Sequence, residues 1–223
     1  ECKQETDGFP FPQYRKFILL EEAQAYFNDI PYKDNIIVDK FASTNNYDIT
    51  TWTYVNNEYY IFTDGSSKKD RTGTSCISGC GVYFGKNALN IKERYIDKTN
   101  NQCELMALIY AFKVIIMNHN ALQGKVIKIV SDSEYTIKSC SIWLEQWKAN
   151  DWKTKGGEPV KNKILMEKID ACMNRIKYIN QQQINKIIIK LIHFNSHQDA
   201  PSCDDVKYFI WYGNHMADKL ASN

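Results

Sequence analysis

From residue 58 onward the hydrophobic pattern of the chain alternates between two periods. "EYYIFTD" (58–64), "CGVYFG" (80–85) and "LNIKERYID" (89–97) are short apolar runs bounded by Gly, Asn and Asp, and they read as strands. "QCELMALIYAFKVIIMN" (102–118) has the length and apolar spacing of a buried helix. "KVIKIVSD" (125–132) reads as a buried strand, followed by helical patterns at 135–147 and 159–179. "INKIIIKLIHF" (184–194) is again strand-like, and "YGNHMADKLAS" (212–222) is a closing helix. Three antiparallel strands followed by alternating helix and strand predict an α/β domain with a mixed sheet flanked by helices.

The first 57 residues differ. "QYRKFILL" (13–20) is strand-like and "LEEAQAYF" (20–27) helical, so 1–29 reads as a small unit of its own. Residues 30–57 are turn-rich without a sustained period, and read as a linker. The expected domains are therefore 1–29, a 30–57 linker and 58–223.

Composition changes little in this picture. Hydrophobic residues make up 43% and charged residues 24%, ordinary values for a globular chain. The formal net charge is only +2, so a polyanionic partner must be met by a local basic patch. No apolar run approaches the roughly 20 residues that span a bilayer, and no membrane association is expected. Seven cysteines, an odd number, are widely spaced and contain no C-x-x-C pair. That argues against zinc and for free thiols in a reducing compartment. The expected location is intracellular, with nucleus, mitochondrion and cytoplasm left open.

Candidate chemistry rests on acids at the ends of elements. Asp64 closes the first strand, Asp132 closes the fourth, Glu104 falls in the first turn of the long helix, and Asp218 lies in the last helix. Singly, each has an ordinary role as turn residue, cap or solvated carboxylate. Together, beyond strand ends of an α/β sheet, they can converge. Converged carboxylates repel one another unless cations intervene, and an all-oxygen set suits Mg²⁺ or Mn²⁺. Between residues 148 and 163, five lysines (Lys148, Lys153, Lys155, Lys161, Lys163) stand against Asp151 and Glu158, beside Trp143, Trp147 and Trp152. Lysines supply phosphate contacts, and flat aromatic faces pack on sugars or bases.

The stretches "FTDGSS", "GCGVYFG", "LNIKERYI", "TNNQCELMAL", "IVSDSEYTI", "WLEQWKANDWKTKGGEPVKNK" and "GNHMADKLA" resemble, in order, the catalytic domain of type 1 ribonuclease H of the cellular eukaryotic kind. The resemblance implies a ribonuclease H-like fold with a five-stranded mixed sheet. It also implies an endonuclease that hydrolyses the RNA strand of RNA–DNA hybrids with two Mg²⁺ ions, leaving 5′-phosphate and 3′-hydroxyl ends. Asp64, Glu104, Asp132 and Asp218 would bind the metals. His197 in "HFNSHQD" would assist product departure or proton transfer, while His193 faces one side of the sheet and His215 is a surface helix residue.

By the same resemblance, Asn100 and Asn101 would read the minor groove, and Trp143 and Trp147 would line a DNA-strand channel. Thr99 and Asn162 would hold a DNA phosphate, although the arginine expected at 97 is Asp97 here. Residues 198–212 form a longer loop than the family pattern. Residues 1–29 resemble the second half of a eukaryotic hybrid-binding domain, with Tyr14, Arg15 and Lys16 as its aromatic-basic-basic triplet. The expected partner is the hybrid duplex, met by a monomer without an obligate protein partner. Two rival readings are a non-catalytic hybrid-binding protein and the ribonuclease H portion of a reverse transcriptase.

Overall fold

The computed structural model describes residues 47–69, 73, 75–196, 199–203 and 207–222. The strand and helix expected within 1–29, including Tyr14, Arg15 and Lys16, lie outside these residues.

The sheet starts earlier than residue 58. Thr53–Val55 forms β1 and turns back through Asn56 and Asn57 into β2, Glu58–Lys69. Both turn residues have positive φ, 52° and 64°, the backbone that a two-residue type I′ hairpin requires and asparagine tolerates. The expected linker 30–57 therefore gives its last residues to the sheet. β2 pairs antiparallel with β3 (Cys76–Tyr83), and β3 pairs antiparallel with β4 (Ile91–Ile96). β5 (Val126–Ser131) lies parallel to β2, and β6 (Ile188–His193) parallel to β5. The order β4-β3-β2-β5-β6 is the expected five-stranded mixed sheet, with β1 added beside β2.

Successive residues of a strand point to opposite faces, and this sheet is covered on both. On one face lies α1 (Asn100–Met117), apolar nearly all round because α4 (Lys163–Gln182) covers its outer side. Thr99 and Gln102 close a reciprocal capping box at its start. On the other face, Tyr60, Phe62, Tyr83 and Val130 form a core with Ala217 of α5, Tyr208–Ser222. Glycine permits the close approach there: a Cβ on Gly81 would lie 2.7 Å from the Ala221 nitrogen. The Arg94 guanidinium on β4 donates to the Ala221 carbonyl and closes the end of α5.

Residues 208–212, expected in a long loop, are instead the first turn of α5. Phe209, Ile210 and Tyr212 pack on the core, which draws the apolar cluster into the helix. The helical stretch after β5 is also not uniform. It runs as α2 (Glu134–Lys138), a π turn (Ser139–Trp143) and α3 (Leu144–Ala149).

Candidate active site

Asp64 does not close its strand. β2 continues to Lys69 against β3, and what stops at Thr63 is the parallel pairing with β5, opposite Ser131. Asp64 thus sits in mid-strand at the point where a parallel neighbour ends, which rules out a turn at this position. Asp132 follows β5 directly. Phe62 is level with Val130 in the register, and both side chains enter the α5-facing core. Two residues on from this pair, Asp64 in β2 and Asp132 just past the end of β5 bring their carboxylates together.

Glu104 reaches them from α1. Because the cap at Thr99 starts the helix at Asn100, Glu104 falls in the second turn rather than the first, and it is buried. Gly65 sets its distance: a Cβ there would stand 2.6 Å from the Cys103 carbonyl carbon and closer still to the Glu104 nitrogen. Ser67 and Ser78 hydroxyls each donate to the Lys98 carbonyl at 2.7 Å, fastening the entry of α1 to β2 and β3.

One oxygen each from Asp64, Glu104 and Asp132 lies within 4.8 Å of the other two. Asp218 is outside that set. It lines the same cleft from α5, and Ser222 Oγ donates to its Oδ1 at 2.9 Å. Burial, and then the charges of Asp132 and Asp218, push the Asp64 carboxyl up to about 8. Burial, followed by Asp64 and Asp132, holds Glu104 well above the usual carboxylate range. Glu104 Oε2 is buried without a hydrogen-bond partner among the described residues, and Asn100 Nδ2 reaches only Oε1, at 3.5 Å. An orphaned buried carboxylate oxygen among other carboxylates is the environment that a hard divalent cation completes. The donor set fits one.

The cleft measures about 730 Å³ and is lined in addition by Ser66, Asn100, Asn101, Tyr135, Trp211 and His215. His215, expected on the surface, lies in this wall with its ring stacked on Trp211. Tyr135, Asn214 and Trp211 were not singled out from the sequence. The spacing of Trp211, Asn214 and His215 from Asp218, at seven, four and three residues, was the available signal. Asn214 is buried and its Oδ1 has no partner among the described residues. His193 Nε2 donates to the Asp132 carbonyl at 3.2 Å. His197 lies outside the described residues.

An aromatic run leads away from the cleft. Tyr135 and Trp143 rings are 6.3 Å apart, and Trp143 and Trp147 are 5.7 Å apart. The intervening π turn carries an extra residue, a device common near functional sites. Asn162, in the left-handed region with φ 61°, donates to the Tyr135 hydroxyl at 3.3 Å. Thr99 is taken up as the cap of α1. Asp97, at φ 56°, accepts from the Cys76 nitrogen at 2.9 Å, so the acid at this position turns the chain.

Lys153 and Lys155 are exposed. Lys148 is not a free cation: it lies 2.9 Å from Asp170 and 3.2 Å from Glu145. The excess of lysine over acid in 148–163 is thus smaller in space than along the chain. The six cysteines among the described residues are unpaired.

The RNase H family model matches residues 56–223, from the β1–β2 turn to the end of the chain. A ribonuclease H of Hahella chejuensis is 35% identical over 115 residues, covering 52% of this chain and 72% of that protein. A ribonuclease H of Schizosaccharomyces pombe is also 35% identical, over 51% of this chain and 41% of that protein. The solution structure of the PFV RNase H domain superposes with a TM-score of 0.51 at 22% identity, covering 73% of this chain and 90% of that domain. That superposition establishes the fold. The mixed sheet and its buried acids are those of an α/β metal-dependent hydrolase, and the chain belongs to the ribonuclease H family.

Proposed function

We propose that this chain is an endonuclease that hydrolyses the RNA strand of RNA–DNA hybrids, using Mg²⁺ or Mn²⁺ held by its carboxylates. One observation carries the reading: three acids from three separate elements bring oxygens within 4.8 Å, with one buried Glu104 oxygen unpartnered among the described residues. Asp64, Glu104 and Asp132 would hold the ions, two per site, with Asp218 at the open side. Bound there, the ions supply an activated water and charge stabilisation at the leaving 3′ oxygen, giving 5′-phosphate and 3′-hydroxyl ends.

The protein's own residues do the positioning. Asn100 and Asn101, in the first turn of α1, line the cleft with Glu104 and would contact the minor groove, where the ribose 2′-OH tells RNA from DNA. Lys153, Lys155 and the Trp143–Trp147 pair would take the DNA strand away from the cut. The protein would act as a monomer on the duplex.

A labelled RNA–DNA hybrid tests the reading, assayed with and without Mg²⁺ beside single- and double-stranded RNA. Hybrid RNA should be cut only with the metal. Asp132→Asn keeps the shape of the side chain and removes a charge, so cleavage should fall by orders of magnitude while hybrid binding survives. Near-normal turnover by that variant would end the metal-site reading.

A further inference from the structure

Helix α5 turns one stripe to the cleft. Trp211, His215, Asp218 and Ser222 all line it, at spacings of four, three and four residues, which places them on one helix face. The far end of the stripe is polar, with Ser222 Oγ donating to Asp218 and lying 3.5 Å from Ser66 Oγ. The near end is aromatic. The His215 ring lies almost parallel to the Trp211 indole, at 14° with centroids 5.1 Å apart, and Tyr208 flanks the indole at 5.9 Å.

Anchoring of the helix does not depend on these rings. Phe209, Ile210, Tyr212, Met216 and Leu220 form its core-facing side, while Trp211 and His215 stay half-buried in the cleft wall. Residues 208–211 put Trp211 within the helix, seven positions ahead of Asp218. At 1.5 Å per residue this is about 10 Å along the axis. For a duplex running along α5, at about 3 Å per base pair, this separation corresponds to about three base pairs between the indole and Asp218.

We propose that Trp211, held flat by His215, contacts the sugar–phosphate backbone of the bound hybrid about three base pairs from the scissile phosphate. A neutral ring suits this place. The carboxylates of the cleft repel phosphate, and a flat apolar face packs on sugars without adding charge or reading sequence. The assignment rests on the cleft being the hybrid site.

The test uses the full chain and a hybrid with one cleavable position, shortened in turn from either end. Trp211→Ala should raise KM roughly tenfold with kcat little changed, the pattern of lost binding that ground and transition states share. Trp211→Phe should recover most of the loss. Trp211→Leu, which keeps apolar bulk without a flat ring, should behave like Trp211→Ala and guards against a folding defect, with thermal unfolding as the check. The gap from the parent should close once the hybrid ends within about two base pairs of the cut on the α5 side. Parent-like KM in Trp211→Ala, or a gap independent of hybrid length, would overturn the assignment. A parent protein that cleaves no hybrid would instead overturn the reading of the cleft, so the two failures are distinct.

Discussion

Replacing Asp64 by asparagine removes a buried carboxyl that ionises only at a cost to the fold. Burial first, and the Asp132 and Asp218 charges next, push this carboxyl from the ordinary 3.8 up to about 8. At about 1.4 kcal/mol per pKa unit, the full difference is on the order of 6 kcal/mol. Water entry and relaxation around a buried charge reduce it, so a gap of about 2–4 kcal/mol is expected. The sign follows from linkage. A carboxyl whose folded pKa is raised binds its proton more tightly folded than unfolded, so its contribution is fully present below about pH 4 and is lost as pH rises through about 8. The asparagine that replaces it does not titrate. In urea unfolding with EDTA, Asp64→Asn and parent should therefore match near pH 4, and the variant should become the more stable as pH rises to 8. Mg²⁺ should narrow the gap by stabilising the parent, by about 2.7 kcal/mol at a hundredfold excess over Kd. A gap that stays constant with pH, or a variant less stable than the parent at pH 8, would refute the reasoning.

Gly65→Ala should destabilise by about 1–3 kcal/mol, because its Cβ meets the α1 backbone rather than a yielding side chain. Hybrid cleavage should fall with it, since Glu104 must move, and parent-like thermal unfolding would contradict the close approach. In a salt titration of hybrid binding with Ca²⁺ occupying the site, Lys153→Ala and Lys155→Ala should each flatten the log affinity–log salt slope by up to about one. Lys148→Ala should flatten it less, since Asp170 and Glu145 already engage that ammonium. A larger effect at Lys148 would mean that those pairs open on binding.

Much of the architecture was legible along the chain. Long apolar helices such as 102–118 and buried strands such as 125–132 report a period set by near neighbours, so their type could be read directly. The acids were legible as acids beside apolar runs. Their convergence was not. Asp64 and Asp132 come together because β2 and β5 pair Phe62 with Val130, across 68 residues of chain. Glu104 joins them because Gly65 lets the α1 backbone approach the strand.

The same distinction explains each departure. "DGSSKK" carries turn residues, yet β3 pairs with it to Lys69 and holds it extended. "YFIWY" looks like an apolar insertion in a loop until Phe209, Ile210 and Tyr212 find the core made by Tyr60, Phe62 and Tyr83. That packing extends α5 and carries Trp211 and His215 into the cleft. Lys148 counts as a free cation in the sequence and is spoken for in space by Asp170 on α4. Local periodicity determined which residues are helix, strand and core. Pairing register and helix–sheet approach, which depend on residues far apart in the chain, decided which charges meet and which side chains face the cleft.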